Sequence, residues 1–209
     1  MSPPWNAPGT MGVAAVTLLT LCACACEHQT TDAAPTAKES ARTPPATPTE
    51  APARKAPKCV LTMAADPPPH PAKATNCPAD PSGPPALPKG YVGFPDAPAA
   101  PRVRIELAED NGTRERGLMY VRSMPEDQGM LFTWPDSAER SFWMHDTCIP
   151  LDMLFVDDQG IVAGILEEVP PMDDTPRGVA CPVRSVLELN AGYSRAHGIR
   201  PGQRIVVER

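Results

Sequence analysis

The sequence predicts a mostly β fold, a compact antiparallel β-sandwich or barrel with two short helices, behind a disordered N-terminal tether rich in Pro and Ala. Three observations carry this reading. Of the 29 prolines in 209 residues, 21 lie at or before Pro101, which bars continuous helix or central strand from the first half of the chain. No Phe, Trp or Tyr occurs from Glu27 to Gly90, whereas most of the aromatic residues lie between Tyr120 and Tyr193. A stretch without aromatic side chains buries too little apolar surface to offset the entropy of ordering it. Beyond Pro101, short apolar and polar alternations recur at turn spacing. The chain therefore divides into residues 1–26, a signal peptide with lipobox-like cysteines, 27–100, a Pro-rich disordered linker, and 101–209, a globular β domain. At about 110 residues that domain is large enough for a core of its own.

The elements follow in order. Val103, Ile105 and Leu107 alternate with polar residues over Arg102–Ala108, the pattern of a half-buried strand. Asp110-Asn111-Gly112 turns the chain, and Thr113 is a suitable N-cap for the helical turn TRERGLMY. Gly129–Trp134 and Ser141–Met144 read as strands joined by a polar loop that Pro135 opens. Asp152–Val156 and Ile161–Glu168 flank the turn Asp157-Asp158-Gln159-Gly160 as the clearest hairpin. Val183–Leu189 is a further strand, AGYSRAHG a short helix closed by Gly198, and Gln203–Val207 the last strand. With no βαβ rhythm, nucleotide-binding folds are not expected.

After Pro101 the chain has 12 Arg, no Lys and 18 Asp or Glu, so the globular part carries the whole net charge of −6. Such a surface repels nucleic acid and anionic headgroups. Gly12–Cys26 (GVAAVTLLTLCACAC) has the length of a secretory h-region and is too short to span a bilayer. Leu21-Cys22-Ala23-Cys24 resembles a bacterial lipobox, with Cys24 as the lipidated residue and Cys26 as the alternative, although no Lys or Arg precedes the run. The protein is accordingly expected to be exported to the cell envelope, lipid-anchored and periplasmic or surface-facing. About 70 residues of linker would reach roughly 200 Å as polyproline II and nearer 50 Å as a coil. In an oxidising compartment the remaining Cys59, Cys77, Cys148 and Cys181 are expected to pair. Of three connectivities, Cys59 with Cys77 and Cys148 with Cys181 is favoured, because the first pair brackets a loop and the second lies inside the domain. No CxxC or paired zinc-finger spacing occurs, so neither metal nor cofactor is expected.

Three phrases are distinctive: RGLMYVRSMPEDQGMLF, FWMHDTCIPLDMLFVDDQGIV and VLELNAGYSRAHGIRPGQRI. Together they resemble the domain of unknown function 192, also called uncharacterised protein family 0127, over about Val103 to Val207. The resemblance implies a small, exported or lipid-anchored β domain with no agreed enzymatic activity. Where that family has a Lys-Asn pair after Trp-Met, this chain has His145-Asp146, and it has Cys148 where an apolar residue is usual. These departures fit a Cys148–Cys181 staple.

Candidate site residues cluster between Trp143 and Asp152. Trp143, His145, Asp146, Thr147 and Asp152 join an amphipathic ring, a titratable imidazole and two carboxylates, able to line a pocket. The plainer alternative places Trp143 in the core and the polar residues on backbone amides of a turn. Asp146 with Asp152, or either with Glu188, could serve as acid and base only if burial and repulsion separate their pKa values. Arg116 is expected to pair with Glu188 or Asp152 inside the fold, or to clamp a ligand carboxylate. Gly117 is expected to allow close packing.

Met119, Met130, Met144 and Met153, with His145 and Cys148, permit a soft-metal reading. No GxSxG or Cys–His motif appears. The reading that results leans away from an enzyme: a monomeric accessory domain that offers a groove to an unknown small molecule, glycan or envelope protein. The alternatives are an envelope hydrolase with paired carboxylates and a copper-handling protein.

Overall fold

Alternation along the strands places apolar side chains on both faces of one sheet, and the sheet is therefore buried from two sides. The computed structural model describes residues 59–209. The signal segment with Cys24 and Cys26, and the linker through residue 58, lie outside the described residues. The strands are β1 (Lys89–Gly93), β2 (Val103–Ala108), β3 (Gln128–Ala138), β4 (Ser141–Phe142), β5 (Leu151–Val156), β6 (Val162–Val169), β7 (Arg177–Gly178), β8 (Val183–Asn190) and β9 (Val206–Glu208). The helices are α1 (Asn111–Arg116) and α2 (Tyr193–Ala196). Seven strands form one sheet in the order β6-β5-β8-β3-β2-β1-β9, and β4 pairs with β7 in a second.

The mostly β architecture with two short helices is the one expected, but the sheet is mixed and open. β2 and β3 run parallel. The segment 109–127 between them is long enough for a crossover, and the six-residue α1 is too short to give a helical period of its own in the sequence. The edge strands β6 and β9 do not pair into a closed barrel. The isolated bridge Ile161–Arg204 and the backbone bonds of Val162 and Gly160 to Gly202, Gln203 and Ile205 link the segments beside those ends without a strand ladder.

Rows across the sheet show the two faces. Leu107, Leu131, Leu187, Leu154 and Ile165 sit opposite one another in register and enter one layer. The neighbouring row of Ala108, Phe132, Val186, Phe155 and Gly164 faces the other way. Phe142 closes that second layer, its ring edge-on to Phe132 at 5.1 Å and to Phe155 at 6.0 Å. Asp110, not Thr113, caps α1: its carboxylate accepts the Thr113 N–H at 3.0 Å, and the Thr113 hydroxyl accepts the Asp110 N–H in return. The strand expected over Ser141–Met144 is reduced to the two residues of β4, because Met144 turns into the core and its N–H binds Asp173.

Residues 59–100, assigned by composition to the linker, are tied to the domain. β1 lies among them and pairs with both β2 and β9. The bonds are Cys59–Cys181 and Cys77–Cys148, so the favoured pairing of Cys59 with Cys77 and Cys148 with Cys181 is incorrect. Composition misleads here because a proline-rich segment lacks donors, not acceptors. Its carbonyls are met by arginine, a donor-only side chain. Arg195 reaches Ala64 and Ala65, and Arg122 reaches Cys77 and Pro78. The Leu61 N–H adds a bond to the Ala163 carbonyl at 2.8 Å. Two disulfides suggest an oxidising, exported location, and among the described residues no helix is long and apolar enough to cross a membrane. Proteolysis without reductant is expected to release peptides joined Cys59–Cys181 and Cys77–Cys148, read by mass spectrometry. Recovery of a Cys59–Cys77 peptide would reject the strapped arrangement.

Candidate functional site

The middle of the sheet supplies the central group. Glu188 on β8 has Met130 of β3 and Met153 of β5 as cross-strand neighbours, and so projects into the layer of Phe132 and Phe155. The residue is 4% exposed. Burial, with no hydrogen-bond partner among the described residues to offset it, pushes its carboxyl up to about 8. At neutral pH it is a protonated acid with one donor and free acceptor capacity. It floors a cavity of about 30 Å³ walled by α1, Gly117, Leu118, Phe132 and Phe142, with Trp143, His145 and Thr147 on another side. That volume holds about one water molecule or the tip of a ligand. Gly117 has φ 44°, and a Cβ there would stand 3.2 Å from Phe132, so this wall requires glycine.

Trp143 is 48% exposed and stacks on His145 with ring centroids 5.1 Å apart. It is therefore not the core residue of the plainer alternative. His145 Nδ1 lies 2.8 Å from Asp174, and Nε2 lies 3.6 Å from Asp146. The bond to Asp174 raises the imidazole pKa most; partial burial opposes it, and the charges of both aspartates add to it. Asp146 and Tyr120 both adopt left-handed backbone, φ 50° and 67°, and the Tyr120 N–H donates to the Asp146 carbonyl at 2.7 Å. The Asp146 carboxylate also lies beside the Tyr120 hydroxyl and raises the phenol pKa. Strained non-glycine residues of this kind persist only where their surroundings over-determine them. Here the Cys77–Cys148 bond is two residues from Asp146. The Thr147 hydroxyl donates to the His145 carbonyl at 3.2 Å and so serves its own turn.

Two expected partners of Glu188 are elsewhere. Arg116 forms its ion pair with Asp80, from the supposed linker, and lies 4.3 Å over the Tyr120 ring, rather than pairing with Glu188 or Asp152. Partial burial raises the Asp80 pKa, but hydrogen bonds from the Ser82 and Gly83 N–H groups and Arg116 outweigh it and hold the carboxyl below its usual value.

Asp152 is fully buried and sits opposite Leu189, one step from Glu188, so it faces the other layer. Its carboxylate accepts the N–H groups of Glu168, Gly192 and Ser194 at 3.0, 3.1 and 2.9 Å. It anchors α2 and β6 and is not a pocket residue. The hydrolase reading thereby loses Asp152 as a partner for Glu188, and Asp146 is engaged by Tyr120 and His145. The copper reading loses Cys148 to its disulfide, and among the described residues no group of three His, Cys, Asp or Glu is arranged to hold a metal ion.

Sequence reasoning missed Asp80, Tyr120 and Asp174. Only Asp174, in the turn-like PMDDTP, carried a local signal. A larger cleft of about 520 Å³ opens near Lys89, Tyr91, Arg102 and Arg104 and shares Leu118 with the Glu188 cavity. Its charged groups are already in ion pairs, Arg102 with Glu208, Arg104 with Asp127, Lys89 with Glu106 and Arg209 with Glu109. The chemistry therefore favours the smaller cavity.

The fold and site define a small mixed-sheet domain built over one buried, neutral carboxyl. The chain belongs to the DUF192 family, described as an uncharacterized ACR, whose model matches residues 96–207. Two solved structures are similar. One, from Sinorhizobium meliloti 1021, is titled a putative transcription regulator; at 35% identity and a TM-score of 0.56 the match covers 60% of this chain and 98% of that one. The other, a protein of unknown function from Novosphingobium aromaticivorans DSM 12444, is 29% identical with a TM-score of 0.52 and covers 64% and 94%. No curated protein matches.

Replacing Asp152 by Ala is expected to strip three buried N–H groups of their acceptor and cost on the order of 3 to 5 kcal/mol in guanidinium unfolding, with Asp152→Asn in between. A loss below about 1 kcal/mol would deny the anchoring role. For Glu188 the expectation concerns pH. Between the ordinary value of 4.5 and about 8 the folded state holds a proton that the unfolded state has released. This group's contribution is therefore present below pH 4.5 and is lost as pH rises through that window. Glu188→Gln cannot ionise, so its stability relative to the wild type is expected to rise from pH 5 to pH 8. Parallel stability curves over that range would contradict a neutral buried acid.

Proposed function

We propose that the domain is a non-enzymatic binding module of the cell envelope, exported and lipid-anchored through Cys24 or Cys26, that takes a small hydroxylated ligand of the sugar or polyol class. The observation that carries this reading is the Glu188 carboxyl, buried and without a partner among the described residues, lining the narrow cavity. A protonated acid gives one hydrogen bond to a hydroxyl and takes another, and leaving it unpaired costs free energy. The exposed Trp143 face, backed by His145, is suited to the apolar face of a sugar ring. Cations on this side are committed elsewhere: Arg114 bonds the Glu109 and Thr133 carbonyls, and Arg116 bonds Asp80. Anionic ligands are correspondingly disfavoured. The two disulfides support the exported setting.

The test is calorimetric titration of the full chain with glycerol, D-glucose and N-acetylglucosamine. Binding of at least one is expected, with Glu188→Met and Trp143→Ala each weakening it about tenfold, which is about 1.4 kcal/mol. Glu188→Gln, which keeps a donor and an acceptor, is expected to retain most of the affinity. Unchanged binding in both Glu188→Met and Trp143→Ala, or no binding of any of the three, would discard this reading.

A further inference from the structure

The segment 74–83 ties together the two walls of the Glu188 cavity. On the α1 side, the Arg122 guanidinium donates to the carbonyls of Cys77 and Pro78 at 2.7 and 3.2 Å, and Arg116 pairs with Asp80. On the Trp143 side, the Ala74 N–H donates to the Cys148 carbonyl at 2.9 Å, and the Cys77–Cys148 bond holds the same residue covalently. Cys77 Sγ lies 3.9 Å from the Tyr120 carbonyl oxygen, and Cys148 Sγ lies 3.4 Å from that of Asp146, so the sulfurs stand between the walls. The backbone around them is strained. Among the described residues four non-glycine residues have left-handed φ, and three of them meet here: Tyr120 at 67°, Asp146 at 50° and Met172 at 56°. The Tyr120 N–H donates to the Asp146 carbonyl at 2.7 Å and the Met172 N–H to the Thr147 carbonyl at 3.0 Å. Such conformations persist only where their surroundings over-determine them. The hydrogen bonds can be traded for water, whereas the disulfide is removed only by chemistry.

We propose that the Cys77–Cys148 bond is a thiol-reducible latch on the Glu188 cavity: an external dithiol cuts it, the 145–148 turn relaxes, and the wall opens while the sheet stays folded. Cys148 is 1% exposed and Cys77 is half-buried, so the attack falls on Cys77. The thiolate of the dithiol bonds the Cys77 sulfur, the S–S bond breaks, and Cys148 leaves as a thiolate that takes up a proton. The second thiol of the reagent then displaces Cys77 in the same way. The cystine is reduced to two thiols and the dithiol is oxidised to its disulfide. Tyr120, Asp146 and Met172 are then free to leave the left-handed region. The sheet keeps its own ladders, and the Cys59–Cys181 bond still ties the start of the segment to the domain. Weaker sugar binding by the reduced form is a consequence that rests on the proposed function; the opening of the wall does not.

Amide hydrogen exchange of the full chain, read by NMR with no ligand present, tests this. In Cys77→Ser/Cys148→Ser the Tyr120 and Met172 amides are expected to exchange at least about tenfold faster than in the wild type, with the amides of β5 and β8 unchanged. In Cys59→Ser/Cys181→Ser, which keeps the latch, the same two amides are expected to stay protected until dithiothreitol is added and then to match the first variant. Wild-type protection of Tyr120 and Met172 in Cys77→Ser/Cys148→Ser would overturn the proposal. So would an equal loss of protection in β5 and β8, which would make the bond a staple of the whole fold. Because no sugar enters the measurement, failure of the latch and failure of the sugar reading are seen separately.

Discussion

A carboxylate with no exposed surface stands at the junction of three elements. Asp152 survives there because three backbone N–H groups surround it, and each would otherwise be an orphaned donor. Through Gly192 and Ser194 it fixes α2 against the sheet, and through Glu168 it fixes the end of β6, where that residue holds a left-handed φ of 54°. The register that pairs Asp152 with Leu189 also pairs Met153 with Glu188. One step along β5 and β8 thus separates a carboxylate held by three N–H groups on one face from an acid with no hydrogen-bond partner among the described residues on the other. A one-residue slip would exchange their environments. The anchoring of Asp152 and the isolation of Glu188 are two results of one alignment.

Much of the fold was legible because strand alternation is a local signal. Val103, Ile105 and Leu107, and the hairpin around Asp157 to Gly160, appear where their patterns place them. The parallel pairing of β2 and β3 was not legible, since it depends on how a nineteen-residue connection, 109–127, folds back, and no residue in it states that direction. β1 was hidden for a related reason. KGYVG is too short and too glycine-rich to stand out among prolines, and only its neighbours β2 and β9 make it a strand.

At the site, Trp143, His145 and Glu188 were identifiable by type, and the structure brings them to one cavity. Asp152 and Thr147 were identifiable too, but residue type cannot tell a carboxylate that binds a ligand from one that binds the chain. That distinction rests on which face of β5 the residue occupies and on what α2 brings to it. Asp80 was out of reach because it comes from a segment with no apolar pattern. Arginine, which stands in place of lysine throughout the chain after Pro101, joins these levels, its rigid donors matching the carbonyls that prolines leave unpaired.

The Cys59–Cys181 bond also has a mechanical meaning. It closes a covalent loop whose ends are 122 residues apart in sequence, and that loop contains every strand from β1 to β7. Tension applied between the chain ahead of Cys59 and the C-terminus passes directly from sulfur to sulfur and bypasses the loop. The extensible length is then confined to the segment after Cys181, which holds β8, α2 and β9. A drawn tether would peel this terminal piece, Glu188 included, while most of the sheet stays out of the load path.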